Sequence, residues 1–364
     1  MTLSDVAHGR NNNFNLLRML AAISVLVSHS FVLATGNSSA QPLSSFIALG
    51  GIAVDVFFVT SGFLITASIL RRPNLAEFVW ARCVRIYPAL IVVVFATCFV
   101  LGPALTNLPL GTYFKDVHVY QYFARCSTML FGYETRLPGV FVSNPYPAAV
   151  NGSLWSMPYE VRMYAILACL WLASSVFRAN RLRIFHAALI ACAGVSLIAV
   201  VYFGAFEVAR WQFGHLFFMF YGGAALYVLR RHIPVSAPLA VVVAVLLIAS
   251  TLLGRAVFGN VYLFAIGYLV IYAAYAPSKW LQMYNRLGDY SYGTYILAFP
   301  IQQTIIWALP GISPFGVIAM AAPITVSLAV LSWNCVERHA LKLKSTPPFG
   351  LRVLVRPTEL AESR

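Results

Sequence analysis

The run Asn15-Leu-Leu-Arg18-Met-Leu-Ala-Ala22-Ile-Ser-Val25-Leu-Val-Ser-His29 lies within a segment apolar enough to cross a bilayer, yet it contains an arginine and a histidine. On a helix, Arg18, Ala22, Val25 and His29 fall on one stripe. Inserting an arginine near the middle of a membrane-spanning helix costs roughly 2.5 to 3.5 kcal/mol, so such a residue faces a partner or a hydrated cavity. The stripe therefore predicts a functional cavity within a helical bundle.

The two ionisable residues of this stripe are eleven positions apart. On a helix this places Arg18 and His29 about 16 Å apart along the axis, one toward each side of the membrane. An alternative is that Arg18 only extends its guanidinium to the membrane interface, while His29 is a hydrogen-bonded packing residue. A continuous polar cavity between the two faces would favour the functional interpretation.

The composition predicts an all-α polytopic membrane protein. Of the 364 residues 60% are hydrophobic and 10% are charged, and the mean hydropathy is +0.78. A soluble globular domain has about 25% charged residues. The net charge of +14 is scattered between apolar segments and forms no patch, which argues against a nucleic-acid partner.

The apolar segments predict ten membrane-spanning helices. They lie at about 14–34, 46–70, 88–107, 157–177, 185–203, 211–229, 235–253, 257–276, 289–309 and 314–335. We expect a single transmembrane domain over residues 14–335, preceded by a cytoplasmic tail, 1–13, and followed by a basic cytoplasmic tail, 336–364.

The basic residues predict that both termini are cytoplasmic, because cytoplasmic loops carry an excess of lysine and arginine. With that orientation eighteen basic residues fall on the inside and five on the outside. The five outside residues are Lys115, Arg125, Arg136, Arg210 and Arg255. One outside loop, 108–156, is long and rich in Tyr, Phe, Pro and Asn. We expect it to contain interfacial helices that partly cap the outer mouth of the bundle.

Asp55 is a carboxylate within the second apolar segment and shares a helical face with Gly62, whose small size lets another backbone approach closely. We expect Asp55 in the outer half, near the depth of His29, where it can hold an imidazole tautomer. The alternative is a structural carboxylate paired with Arg18 or Arg162.

Glu160 lies in the first turn of the fourth predicted helix, after Pro158. We expect it in the outer third of the membrane, again near His29. The alternative is that an acidic residue in a first turn simply interacts favourably with the helix dipole.

Arg82 and Arg85 lie on the predicted inner side, one helical turn apart. Such a pair can clamp a phosphate or pyrophosphate group, although most such pairs serve only membrane topology. The chain contains no GxSxG, HExxH or P-loop motif and no metal-binding spacing of His and Cys, so hydrolase, metalloprotease and NTP-driven pump functions have no support.

Taken together these motifs resemble the acyltransferase-3 family of membrane O-acyltransferases, which covers bacterial polysaccharide, lipopolysaccharide and Nod-factor acetylases. The resemblance runs from about residue 10 to 340. One departure is Ala298, at a position where the family often has a histidine. The motifs that carry it are Arg18-x10-His29, the segment 51–65, Arg82-x-x-Arg85-Ile-Tyr-Pro88, the segment 153–160 and the segment 288–295.

The resemblance implies transfer of an acetyl group from cytoplasmic acetyl-CoA to a sugar hydroxyl. The acceptor is expected to be an exopolysaccharide or other cell-surface glycan repeat unit, free or polyprenyl-linked. The expected location is the bacterial inner membrane, with the lipid bilayer as a partner and with no permanently bound cofactor or metal.

We expect His29 to act as general base, with Asp55 or Glu160 orienting its ring, at the outer end of the site. At the inner end the donor phosphates would be bound by Arg18, Arg82 and Arg85. Two other interpretations stay open at this point, a flippase or transporter for lipid-linked oligosaccharides and a non-catalytic subunit of an export assembly.

Overall fold

The computed structural model describes residues 1–7, 12–71, 74–203, 212–276 and 279–345. Within these ranges the chain is mostly helical and forms no β-strand. The long helices are α1 (Phe14–Thr35), α2 (Leu49–Arg71), α3 (Leu75–Ala96), α4 (Met157–Ser174), α5 (Arg181–Phe203), α6 (Gln212–Val228), α7 (Ala237–Ser250), α8 (Arg255–Tyr275), α9 (Ser291–Ala308) and α10 (Pro314–Ser332). Each apolar segment predicted from the sequence thus overlaps one of these helices.

Within the described residues, six helical stretches are long and apolar enough to cross a membrane, which fits a multi-pass membrane protein. The full number of spans and the cytoplasmic location of both termini stay predictions. These stretches are Phe14–Thr35, Leu49–Arg71, Leu75–Leu105, Arg178–Phe203, Arg255–Tyr275 and Pro314–Lys342. Six of the basic residues used to predict orientation lie outside the described residues, namely Arg10, Arg72, Arg210, Arg352, Arg356 and Arg364.

Helix α3 begins at Leu75, whereas the sequence predicted a start near residue 88. This difference places the Arg82/Arg85 pair within the helix. The side-chain oxygen of Asn74 accepts a hydrogen bond from the Ala76 backbone N–H at 3.0 Å and caps the helix. The helix then continues through Pro88, so both arginines lie on a helix instead of in a loop. Proline is tolerated inside membrane helices because neighbouring groups compensate for the lost hydrogen bond.

Helix α1 lies at the centre of the bundle and packs against α2, α9 and α10. Its predicted stripe faces the protein, where Ala22 and Val25 are buried, while Leu20 on another side is exposed. Helices α3, α5 and α7 instead present mostly large apolar side chains at their exposed surfaces. An apolar exterior of this kind suits a hydrocarbon environment.

Helices α2 and α6 approach each other backbone to backbone. A Cβ atom added at Gly62 would overlap the carbonyl oxygen of Phe220, and one added at Gly223 would overlap the carbonyl oxygen of Val59. The prediction that Gly62 permits a close backbone approach is confirmed. Small residues play this role in membrane helix packing because van der Waals contact, not water exclusion, drives association there.

The long loop 108–156 contains the helices Leu110–Lys115 and Val117–Thr128, so the prediction that it contains helices is confirmed. It is attached to α9 through Asn144, whose amide donates to the backbone and side-chain oxygens of Gln303 at 3.0 and 2.8 Å. The Gln303 amide in turn donates to two carbonyl oxygens of the loop. Because these groups are buried and mutually satisfied, the contact holds the loop rigidly against the bundle.

We predict that Gly62→Ala destabilises the protein, because the new methyl group overlaps backbone that has no room to move. Overpacking of this kind costs about 1 to 3 kcal/mol. The midpoint of thermal unfolding of detergent-purified protein measures the effect. Gly194→Ala on α5 is the matched control, since a Cβ at that position meets no atom within 4 Å. Equal midpoints for the two variants would contradict the close packing of α2 on α6.

Candidate active site

A pocket of about 260 Å³ lies near the N-terminal half of α1. We call it the arginine pocket. Four basic side chains and two carboxylates line it, so its lining carries an excess of positive charge. These charged residues are Arg18, Arg82, Arg85, Lys344, Glu160 and Asp289. Three arginines that the sequence placed at one end of the site are thus brought together from α1 and α3.

Asp289, immediately before α9, holds two of these arginines. Its carboxylate pairs with the Arg85 guanidinium and lies 3.4 Å from Nη1 of Arg18. The same carboxylate accepts hydrogen bonds from the backbone N–H and hydroxyl of Ser291 in the first turn of α9. Arg85 also lies 3.8 Å from Glu337 beyond α10. The network therefore joins α1, α3, α9 and the end of α10 at one point.

The sequence analysis placed Glu160 near His29. In the structure Glu160 lies in the arginine pocket instead. Its carboxylate accepts hydrogen bonds from Ser61 Oγ at 3.1 Å and from the Tyr164 hydroxyl. The prediction that Glu160 lies near His29 was wrong, since its carboxylate contacts Ser61 of α2 and Tyr164 of α4 instead.

A second, larger cavity of about 680 Å³ contains His29 and is called the histidine cavity. Its volume lies in the range of roughly 300 to 1,000 Å³ typical of small-molecule sites. Part of its wall comes from loop 108–156, as expected for a loop that caps the site. The loop residues in the wall include Tyr133, Thr135, Arg136 and Tyr146.

The imidazole of His29 is held by a residue that precedes α4. Ser153 Oγ lies 3.4 Å from Nδ1, and the ring of Phe299 packs edge-on at 5.3 Å between centroids. Among the described residues no carboxylate lines the histidine cavity. The expectation that Asp55 or Glu160 orients this ring is therefore wrong in the present geometry, and Ser153 occupies that position.

Asp55 is instead part of a separate buried cluster between α2, α6 and α8. Its two carboxylate oxygens lie 2.8 Å from His215 Nε2 and 2.8 Å from the Tyr262 hydroxyl. Neither Arg18 nor Arg162 is its partner. The close approach of α2 and α6 at Gly62 explains the pairing, because it brings His215 against the Asp55 face of α2.

The arginine pocket and the histidine cavity share no lining residue, so the expected continuous cavity is divided in two. Phe57 and Tyr295 lie between them. The two rings pack with centroids 5.5 Å apart, and Phe57 faces the guanidinium of Arg18 at 5.9 Å. Tyr295 is fixed by hydrogen bonds of 2.7 Å to the Ser153 carbonyl oxygen and to Ser156 Oγ.

Several residues of these sites were missed by reasoning from the sequence. His215 carries a recognisable signal, since it is an ionisable residue in an otherwise apolar helix. Tyr262 carries none, because tyrosine is common at membrane interfaces, and Ser153 was noted only as the first residue of a segment that carries the family resemblance. Among the residues that the structure describes, no group of three or more His, Cys, Asp or Glu side chains is placed to hold a metal ion.

The comparisons with known proteins agree with this arrangement. Residues 11–334 match a family model described as "Acyltransferase domain". The chain is 31% identical over 353 residues to an O-acetyl transferase of Shigella phage Sf6, covering 94% of this chain and 99% of the relative. It is 27% identical over 384 residues to Nodulation protein 10 of Rhizobium leguminosarum bv. viciae, covering 94% and 96%. No solved structure matches the chain.

The fold and these matches define a membrane O-acyltransferase. The chain belongs to the acyltransferase-3 family, with the matched region spanning α1 to α10. The resemblance to this family that the sequence motifs indicated is confirmed. The prediction that the protein is an acyltransferase is confirmed as well. Membership of an enzyme family over nearly the whole chain leaves the transporter and assembly-subunit interpretations without support.

We predict that Asp289→Asn destabilises the protein, because it removes the one carboxylate that Arg18 and Arg85 share. Breaking a buried ion pair by removing one partner costs about 3 to 5 kcal/mol. Glu134→Gln is the control, since its pair with Arg125 is exposed and such pairs contribute about 0 to 1 kcal/mol. Thermal unfolding of both variants measures the difference. An Asp289→Asn midpoint no lower than that of the control would show that the network contributes nothing to stability.

Proposed function

We propose that this acyltransferase moves an acetyl group from cytoplasmic acetyl-CoA to a hydroxyl of a cell-surface glycan. The acceptor is an exopolysaccharide repeat unit, either free or linked to a polyprenyl lipid. The observation that carries the proposal is the placement of a positively charged pocket and a histidine cavity at opposite ends of α1. The relative named as an O-acetyl transferase supports acetyl as the transferred group.

The arginine pocket suits the donor. Coenzyme A carries a diphosphate and a further phosphate, and guanidinium groups bind phosphate oxygens through paired charge-assisted hydrogen bonds. Arg18 and Arg85 are held in place by Asp289, so their orientation is fixed before the ligand arrives. Arg82 extends the same surface one helical turn away on α3.

We place the donor pocket on the cytoplasmic side of the bacterial inner membrane. This orientation follows from the excess of basic residues, eighteen against five, on that side of the predicted topology. Acetyl-CoA is a cytoplasmic metabolite, and the acceptor would then be bound in the histidine cavity at the outer face. The aromatic rings of Tyr133, Tyr146 and Trp155 in that cavity suit stacking on sugar rings.

In the proposed reaction His29 acts as general base. Its imidazole takes the proton of the acceptor hydroxyl while the hydroxyl oxygen attacks the thioester carbonyl carbon. The C–S bond then breaks, and the departing sulfur receives the proton from the imidazolium. In this scheme Nδ1–H donates to Ser153 Oγ, 3.4 Å away, so that Nε2 is unprotonated and takes the proton. The second candidate mechanism forms an acetyl-imidazole on His29 before the acceptor attacks.

The thioester has to pass between Phe57 and Tyr295 to reach His29. Tyr295 is anchored by two hydrogen bonds, whereas Phe57 is held by packing alone. Phe57 is therefore the side chain that moves when the pantetheine arm extends from the arginine pocket. Closure behind the arm would exclude water from the thioester and limit its hydrolysis.

We predict that His29→Ala lowers the transfer rate by about 10²- to 10⁴-fold, the contribution typical of a general base. Purified protein in liposomes with labelled acetyl-CoA and glycan acceptor measures it. His118→Ala in loop 108–156 is the control, because His118 is exposed and pairs only with Asp116. Full activity in correctly inserted His29→Ala protein would overturn the assignment.

The same preparation separates the two mechanisms. If wild-type protein incubated with labelled acetyl-CoA and no acceptor retains label that is lost in His29→Ala, the acetyl-imidazole is an intermediate. If no label is retained, direct transfer with His29 as base is supported. Glycan NMR of the producing cell with and without the gene then identifies the acetylated sugar and hydroxyl.

We predict that Arg82→Gln raises KM for acetyl-CoA by about 10- to 100-fold, because hydrogen bonds between charged groups contribute roughly 1.5 to 3 kcal/mol. Arg82 is chosen because Arg18 and Arg85 also stabilise the fold through Asp289. KM for the acceptor should stay the same. Arg71→Gln, an exposed position at the end of α2 and outside the pocket, is the control. Equal donor KM values for wild type and Arg82→Gln would remove Arg82 from the donor site.

A further inference from the structure

Among the described residues that line the histidine cavity, one side chain carries a permanent charge, Arg136. It comes from loop 108–156 and is exposed at the cavity wall, while His29 lies deeper on α1. Among the described residues that line this cavity there is no aspartate or glutamate. Among these described lining residues, the positive charge of Arg136 is therefore uncompensated.

The nearest acidic residue in the sequence does not neutralise Arg136. Glu134, two positions earlier, pairs with Arg125 of the helix Val117–Thr128. Within the part of the chain that the structure describes, the Arg136 guanidinium makes no hydrogen bond or ion pair. Arg125 therefore forms a structural ion pair with Glu134, whereas Arg136 lines the cavity.

The chemistry of the cavity favours an anionic ligand group at this point. A guanidinium binds carboxylate or phosphate oxygens through two parallel hydrogen bonds, and in a partly enclosed site this interaction is stronger than in water. The neighbouring rings of Tyr133, Tyr146 and Trp155 provide stacking surfaces but no counter-charge. By contrast, the arginine pocket contains its own carboxylates.

Resting on the proposed function, we propose that Arg136 selects acceptors that carry an oxyanion near the hydroxyl to be acetylated. The oxyanion is either the carboxylate of an acidic sugar or the diphosphate of a polyprenyl-linked repeat unit. Arg136 binds it at the cavity wall, and the sugar ring stacks on the aromatic residues so that its hydroxyl points toward His29. Arg136 is a specificity-determining residue in this scheme and takes no part in the proton transfer.

The experiment uses the glycan of the producing cell after mild removal of its acetyl esters. Membranes with wild type, Arg136→Ala or Arg136→Lys receive labelled acetyl-CoA and one of three acceptors. These are the lipid-linked glycan, the same glycan released from its lipid diphosphate, and the released glycan with its carboxylates chemically reduced to alcohols. Lys115→Ala is the matched control, since it removes an exposed basic side chain from the same loop that does not line the cavity.

With an acceptor that retains the oxyanion, Arg136→Ala should raise acceptor KM by about 10- to 100-fold and leave kcat within about twofold. Arg136→Lys should recover part of the loss, because it keeps the charge but not the paired hydrogen bonds. If carboxylate reduction removes the difference between wild type and Arg136→Ala, the oxyanion is a sugar carboxylate. If release of the glycan from its lipid removes the difference in acceptor KM between wild type and Arg136→Ala, the oxyanion is the diphosphate.

Two results would overturn the inference. One is an acceptor KM for Arg136→Ala equal to that of wild type with all three acceptors. The other is an equal loss with charged and uncharged acceptors, which would assign Arg136 a structural role. Failure of the proposed function looks different, because wild-type protein would then transfer no label from acetyl-CoA to any acceptor, including the lipid-linked glycan.

Discussion

The shared carboxylate of Asp289 is the interaction on which the rest of this structure depends. Two guanidinium groups inside an apolar bundle are costly unless they are paired, and Asp289 pairs with both Arg18 and Arg85. Because these residues come from α1, α3 and the start of α9, one ionic contact fixes three helices relative to one another. The same contact keeps the two guanidinium groups side by side. The ion pairs that stabilise the bundle therefore also position the arginines to bind an anion.

The second constraint is the backbone contact between α2 and α6. Glycines at two positions let the helices touch, and this contact brings His215 to the buried carboxylate of Asp55. Tyr262 completes the cluster from α8. A satisfied cluster of this kind favours one register of the three helices, since any shift would leave a buried charge without partners. The cluster thereby also holds the part of α2 that contributes Val54 to the wall of the histidine cavity.

Much of this arrangement was predictable from the sequence, for physical reasons that differ between residues. The stripe of Arg18 and His29 was informative because ionisable groups are rare in membrane helices, and both do face cavities. The partners of Asp55 and Glu160 were not predictable. Depth along a helix says nothing about rotation around its axis, and the partners come from helices distant in sequence.

The rings of Phe57 and Tyr295 have a consequence beyond the transfer reaction itself. An open passage lined by arginines at one end and an imidazole at the other would conduct protons and small ions across the membrane. Two interlocked aromatic rings interrupt such a water-filled path while no donor is bound. In the proposed reaction the donor arm displaces Phe57, and the arm itself then occupies the opening. In the proposed reaction, the acyl group would therefore cross the bundle without opening a water-filled path for ions.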